Sequence, residues 1–206
     1  MRSFKVVLLG EFGVGKTSFG VRITEDRFDD QTTATLGVAH FRATVDSLFD
    51  GRTVLEMWDT AGQERYRSLE NMRLYVRDAK AAFVLFDVTS RYTYESAVRI
   101  VEQLRSDFGA SKDILVALVA NKADIEAKQV DAEELAEYAK EAGISVFGFA
   151  SCKTGFNVVD MVRHVAAKLN ELPPENQDSA AAAAKITMMP VQINPHKKIP
   201  NNACCS

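Results

Sequence analysis

Phe4-Lys5-Val6-Val7-Leu8-Leu9 runs directly into Gly10-Glu11-Phe12-Gly13-Val14-Gly15-Lys16-Thr17, and this junction decides the fold. The first six residues read as a short, largely apolar strand. The next eight fit the pattern GxxxxGK[ST], a loop that cradles phosphate. A phosphate needs several backbone N–H donors converging on it, plus a cation. Glycines let the backbone curl around the anion, and the helix that follows presents its positive N-terminal end. Lys16 would reach the β- and γ-phosphates of a nucleotide, and the Thr17 hydroxyl would sit on Mg²⁺. The plainer alternative is a Gly-rich turn that binds nothing. The strand before it and the apolar-periodic helix after it (Phe19, Val21, Ile23) argue against that alternative.

The chain around this junction has 206 residues, 47% hydrophobic and 26% charged. That is ordinary globular composition and fits one domain of moderate size. A net charge of −3 without a basic stripe gives no hint of nucleic-acid binding. No apolar run reaches the roughly 18 residues that would suggest a spanning helix. The start, Met1-Arg2-Ser3-Phe4-Lys5, has no apolar leader core, so a cytosolic chain is expected. Cys152, Cys204 and Cys205 form neither a disulfide framework nor a metal set. His40, His164 and His196 are scattered and read as surface or structural residues.

All five prolines lie at positions 173, 174, 190, 195 and 200, and all eleven glycines lie at or before Gly155. This break in composition divides the chain into a folded body, residues 1–172, and a polar, flexible tail, residues 173–206. The body alternates strand-like and helix-like segments. Strands are expected over 3–9, 41–49, 53–58, 81–87, 114–120 and 144–149, and helices over 16–25, 65–78, 91–108, 131–141 and 156–170. The runs Ala81–Phe86 and Ile114–Val119 are continuously apolar, as parallel strands covered on both faces require. Asp50-Gly51 suggests an antiparallel hairpin, and Asp131 followed by Glu134 looks like a helix start. The expected fold is α/β with three layers. A six-stranded, mostly parallel sheet with one antiparallel edge strand carries helices on both faces. Ligands of such sheets sit at the carboxyl ends of the strands, where each motif falls.

Trp58-Asp59-Thr60-Ala61-Gly62-Gln63-Glu64 ends the third strand. Asp59 would hold Mg²⁺ through its water shell, the Gly62 amide would approach a γ-phosphate, and Gln63 would orient a water. Asn121-Lys122-Ala123-Asp124 follows the fifth strand. Guanine presents N1–H and N2–H₂ side by side, one carboxylate accepts from both, and adenine lacks that pair, so Asp124 would select guanine. A site built for one hydrogen-bonding edge can reject the wrong ligand by roughly 10⁴-fold. The alternative for this loop is a polar helix cap. Ser151-Cys152-Lys153 follows the sixth strand; a backbone amide there would bond the guanine carbonyl, the Lys153 stem would cover the base, and Phe28 would stack from the other side. Among Thr32, Thr33 and Thr35, one hydroxyl would close on Mg²⁺ and γ-phosphate, ordering its loop with triphosphate and loosening it after hydrolysis.

These five motifs together resemble the Ras superfamily of small GTPases over about residues 3–170. Within it, Leu36-Gly37-Val38 before Phe41, Trp58 to Tyr66, Leu85-Phe86-Asp87-Val88-Thr89 and the terminal Cys204-Cys205-Ser206 resemble the Rabs. The resemblance implies a nucleotide set of Gly13, Val14, Gly15, Lys16, Thr17, Ser18, Phe28, Thr35, Gly62, Asn121, Lys122, Asp124, Ser151, Cys152 and Lys153. It implies Thr17, Thr35 and Asp59 around Mg²⁺, and Gln63 as the catalytic residue. It makes Thr35 the switch threonine, and it implies an effector surface of Leu36, Gly37, Val38, Phe41, Trp58 and Tyr75, with core packing as the plainer role of the aromatics. Gly10-Glu11, Asn121-Lys122-Ala123-Asp124 and Ser68-Leu69 before Met72 are similar to the early-endosomal group. The chain departs from the pattern at Ala39-His40, one residue longer than usual, and between Gln63 and Tyr75, about two residues longer. Cys152 stands where alanine is common. Phe12 stands in the phosphate loop where small residues are usual, and is expected to slow hydrolysis or obstruct activators.

The ending Cys204-Cys205-Ser206 does not fit the four-residue prenylation signal, whose cysteine is fourth from the end. It resembles the double-cysteine endings that carry two geranylgeranyl groups. One lipid chain gives only marginal membrane binding, and a second makes the anchor stable. Lys197 and Lys198 add at most roughly 1 kcal/mol each near an anionic surface. A tail of about 34 residues reaches roughly 30–35 Å, enough to hold the body off a membrane. The expected function is a slow GTP/GDP switch anchored to the cytosolic face of an intracellular membrane, endosomal by the subgroup. It would regulate vesicle traffic with effectors, an exchange factor, a GTPase-activating protein, a prenyl-escort protein and a dissociation inhibitor. A second reading is a GTP-locked membrane scaffold disabled by Phe12. A third, an ATPase or nucleotide kinase, is opposed by Asp124 and by the absence of an arginine-rich lid.

Overall fold

Two apolar runs set the centre of the molecule. Ala81–Phe86 is buried at every position, and so is Val116–Ala120. In the computed structural model these runs are neighbouring parallel strands, with Ala81 opposite Leu115 and Asp87 opposite Asn121. The structure describes residues 1–30, 38–47, 51–60, 69–108 and 114–173.

In chain order the elements are β1 (Arg2–Leu9), α1 (Lys16–Glu25), β2 (Val38–Ser47), β3 (Gly51–Thr60), α2 (Leu69–Val76), β4 (Ala81–Asp87), α3 (Arg91–Phe108), β5 (Leu115–Asn121), α4 (Ala132–Glu141), β6 (Val146–Phe149) and α5 (Val158–Glu171). The sheet runs β2-β3-β1-β4-β5-β6. Among the described residues only the β2–β3 pair is antiparallel, so β2 is the antiparallel edge strand the sequence predicts. The strand β2 starts earlier than the expected 41–49, because Val38, Ala39 and His40 find partners in Thr60, Asp59 and Trp58. The helix start at Asp131 is as expected: its carboxylate accepts the Glu134 N–H at 2.9 Å. The start of the expected helix 65–78 lies partly outside the described residues.

Side chains alternate across the sheet and divide the core in two. Val6 and Leu8 of β1, with Leu55, Met57, Phe83 and Leu85, face Phe19 of α1 and Met161, Val162, Val165 and Leu169 of α5. Val7 and Leu9, with Val84, Phe86 and Leu118, face Tyr94, Val101 and Leu104 of α3 and Leu135 of α4. Each fully buried aliphatic or Phe side chain contributes roughly 1.5–3 kcal/mol by leaving water. Both faces of β1, β4 and β5 are covered, so the carboxyl ends of these strands are held rigidly. Arg2 fastens the far end of the body: its guanidinium donates to the Asn170 and Leu172 carbonyls at 2.9 and 2.8 Å.

Candidate functional site

The phosphate loop leaves β1 at Gly10, whose φ of 138° admits no ordinary side chain; a Cβ there would collide with the Leu85 carbonyl oxygen. Gly15, at φ 96°, caps α1 with no side chain of its own. A Cβ on Gly15 would collide with the Asn121 amide nitrogen. The loop is therefore free to curl with its N–H groups inward while α1 points its positive end at the same place.

Lys16 is buried at 6% exposure. Its Nζ donates to the Gly10 and Glu11 carbonyls, each at 2.8 Å, so the ammonium is stapled across the loop. The Thr17 hydroxyl donates to Asp59 Oδ2 at 2.6 Å. Asp59 is fully buried, and its Oδ1 has no hydrogen-bond partner among the described residues. Burial pushes the Asp59 carboxyl up to about 6, against the pull of the Thr17 hydroxyl and the Lys16 charge. A buried carboxylate with one orphaned oxygen, beside a hydroxyl, is the oxygen donor set that a hard divalent cation takes. The residues present fit Mg²⁺.

Phe12 projects from the loop at 63% exposure. Its neighbour Glu11 turns inward, where its carboxylate accepts from Ser96 Oγ at 2.6 Å and from the Tyr92 hydroxyl at 3.4 Å. These bonds tie the phosphate loop to α3.

The end expected to take the base stands at the tips of β5 and β6. Asn121 is its brace: Nδ2 donates to the Val14 carbonyl at 2.8 Å, and Oδ1 accepts the Cys152 N–H at 3.1 Å. One buried amide thus joins the phosphate loop to the loop after β6. Lys122, at φ 63°, swings its ammonium to Asp87 Oδ2 at 2.7 Å. Burial alone would raise the Asp87 carboxyl, but hydrogen bonds from Lys122 and Thr89 outweigh it and hold it below the usual range. Ser151 Oγ donates to Asp124 Oδ1 at 2.6 Å and accepts the Thr154 N–H at 3.1 Å. Cys152 is buried, and burial pushes its thiol up to about 12. Lys153 is exposed beside it. Phe28 is half-buried against the core face of α1 and α5.

The structure brings Gly13, Val14, Gly15, Lys16, Thr17, Asp59, Asn121, Lys122, Asp124, Ser151, Cys152 and Lys153 to one edge of the sheet, and Ser18 is buried in the first turn of α1. Thr35, Leu36, Gly37, Gly62, Gln63, Cys204 and Cys205 lie outside the described residues. Two of the aromatics expected at the effector surface, Phe41 and Trp58, do not share a face. Phe41 pairs with Met57 and lies on the α1 side, where a Cβ on Gly20 would stand 2.5 Å from its ring. Trp58 pairs instead with His40 on the opposite side, ring centroids 5.1 Å apart, over the face that carries α3. Tyr75 is half-buried on α2. Sequence reasoning missed Glu11, Asp87 and Arg22 as site-forming residues. Asp87 carried a signal, a carboxylate closing an otherwise apolar strand.

A nucleotide with its phosphates over Gly13–Thr17 and its base against Asn121 and Asp124 would meet both ends of this edge, and that defines a P-loop nucleotide-binding protein. The Ras family model matches residues 5–171. The chain is 36% identical over 207 residues to the Ras-related protein Rab5A of Oryza sativa subsp. japonica, covering 100% of this chain and 96% of that protein. It is 38% identical over 205 residues to the Ras-related protein Rab-5A of Dictyostelium discoideum, covering 98% of this chain and 96% of that one. The chain belongs to the Ras family and, within it, is a Rab-family small GTPase of the Rab5 type. As such it binds GTP and GDP and is a GTP hydrolase. No helix among the described residues is long and apolar enough to cross a membrane.

Proposed function

We propose that this chain is a membrane-anchored regulator of vesicle traffic that switches between GTP and GDP and hydrolyses GTP slowly. The observation that carries it is the paired construction of the site: a stapled phosphate loop at one end and, at the other, a carboxylate, Asp124, held by Ser151. Likeness to Rab5A proteins over the whole chain supports the traffic role and an endosomal membrane.

On loading, Lys16 would exchange its carbonyl partners for phosphate oxygens. Thr17, Asp59 and Thr35 would hold Mg²⁺, which supplies charge neutralisation across the phosphates. Gln63 would orient the attacking water, and the Gly62 amide would sense the γ-phosphate. Intrinsic rates in this class fall to about 10⁻⁴ s⁻¹ and rise roughly 10⁵-fold with an activating partner. Leu36, Gly37, Val38, Trp58 and Tyr75 would meet effectors, with Phe41 supporting β2 from the α1 side. Two prenyl groups on Cys204 and Cys205 would anchor the tail, with a prenyl-escort protein to load them, a dissociation inhibitor to extract them and an exchange factor to release GDP.

The second reading, a hydrolysis-impaired scaffold, is favoured by one observation: the large exposed side chain of Phe12 at the phosphate loop. Single-turnover hydrolysis of preloaded GTP by the wild type and by Phe12→Ser separates the two. Slow but measurable turnover, equal in both, supports the switch and removes Phe12 from the mechanism. No turnover in the wild type, restored in the variant, supports the scaffold.

A further inference from the structure

Arg22 stands on α1 between Val21 and Ile23, and its guanidinium leaves the helix sideways. Nε donates to the Cys152 carbonyl at 2.8 Å, and Nη2 donates to the Lys153 carbonyl at 2.9 Å. Nη1 donates to the Asp26 carbonyl at 2.8 Å and to its Oδ1 at 3.1 Å. The Arg22 side chain is 11% exposed, whereas that of Asp26 is 90% exposed. The ion pair to Asp26 is therefore worth little, and the bonds to the three carbonyls matter most.

Those carbonyls come from two separate walls. Cys152 and Lys153 belong to the loop after β6 that is placed to hold the base. Asp26, in the left-handed region at φ 47°, ends α1 and starts the segment that leads to Phe28. The loop closes on itself through the Gly155 N–H and the Ser151 carbonyl at 2.8 Å, and Gly155 lies against the Arg22 stem, the place of its missing Cβ 3.9 Å from Arg22 Cδ. Ser151 in turn holds Asp124. A planar, always-charged fork can aim several donors at fixed carbonyls at once, which a lysine ammonium cannot do with the same geometry.

We propose that Arg22 is a positioning residue for guanine: it fixes the 151–153 loop and the segment leading to Phe28 as two walls of one base pocket, and so sets how long nucleotide stays bound and how well guanine is told from its analogues. It acts through backbone carbonyls and, by way of Ser151, on Asp124. The inference rests on the guanine-nucleotide reading above.

The test is release of ribose-labelled fluorescent GDP and of the matching inosine diphosphate, chased with unlabelled GDP, for wild type, Arg22→Ala and Arg22→Lys. Arg22→Ala is expected to speed GDP release roughly tenfold or more. It should also narrow the gap between GDP and inosine diphosphate, which lacks the 2-amino group that Asp124 reads. Arg22→Lys should fall between, and the rise in release should far exceed any change in single-turnover hydrolysis of preloaded GTP. If Arg22→Ala does not fold, as thermal unfolding would reveal, Arg22→Lys carries the test. Wild-type release and selectivity in the Arg22 variants would overturn the inference alone, as would a fall in hydrolysis matching the rise in release. A wild type that takes up no GDP would overturn both the inference and the reading beneath it.

Discussion

Lys16 and Asp124 stand at opposite ends of the proposed nucleotide site, and their surroundings differ in kind. At the phosphate end the charged groups are occupied with partners that a ligand must replace: Lys16 bonds two carbonyls of its own loop, and Thr17 bonds Asp59. At the base end the groups are braced by atoms that a ligand does not need. Asn121 joins two backbone segments, Ser151 steadies Asp124, and Arg22 clamps the loop from α1. On the proposed reading the phosphate end rewires on loading, whereas the base end is assembled beforehand. A preassembled base pocket gives selectivity, and a rewiring phosphate end gives a protein whose state follows its ligand.

The largest effect expected from breaking this arrangement is at Lys16. Lys16→Ala removes the buried cation from the phosphates and should weaken GDP binding by roughly a hundred- to a thousandfold in titration calorimetry. Asp124→Asn comes next. Its amide donates where the carboxylate accepts, so GDP affinity should fall roughly a hundredfold, while xanthosine diphosphate, which carries a carbonyl at that edge, gains relative to GDP in competition.

Asp59→Asn tests the phosphate end without nucleotide. The unfolded chain releases this proton near 3.8 and the folded one near 6. Between those values the fold binds more protons, so its stability falls as pH rises. Above that window the ionised, buried carboxylate costs about 3 kcal/mol. At neutral pH, nucleotide-free Asp59→Asn should melt higher than wild type, by up to that amount, with the gap closing toward the acid end of the window. The same variant should lose Mg²⁺-dependent retention of nucleotide. A gap that widens in acid would refute this account of Asp59.

Much of this was legible in the sequence, and what was not has a common cause. The apolar runs of β4 and β5 and the GxxxxGK[ST] junction set the layers and the site edge, because burial on both faces and a tight glycine loop leave direct compositional traces. The roles proposed for Lys16, Thr17 and Asp59 follow from residue type at fixed spacing. Arg22 left no trace as a site residue, since its partners in the loop after β6 lie about 130 residues away and are backbone carbonyls. The face of Phe41 was illegible for another reason. It is set by strand register, and pairing of Trp58 with His40 rather than with Phe41 puts the two aromatics on opposite sides of the sheet. The ends of β2 were likewise set by pairing with β3 rather than by β2's own residues.

The smallest expected effect sharpens the picture of a closed base end. Cys152 is buried, with a thiol pushed up to about 12 from an ordinary 9.0, burial being the main cause. It should resist alkylation in the native protein and label only on unfolding, read by mass mapping of its peptide. Labelling at a native rate like that of an exposed thiol would mean that the loop after β6 opens freely.

One edge of this sheet is proposed to hold a guanine nucleotide between a rewiring phosphate end and a preassembled base end. The most direct measurement is the nucleotide released when freshly purified protein is denatured, resolved by ion-exchange chromatography. Guanine nucleotide is the predicted result, as GDP where the protein turns over and as GTP where Phe12 prevents it. Adenine nucleotide in its place would contradict the assignment of Asp124 and, with it, the account of the base end.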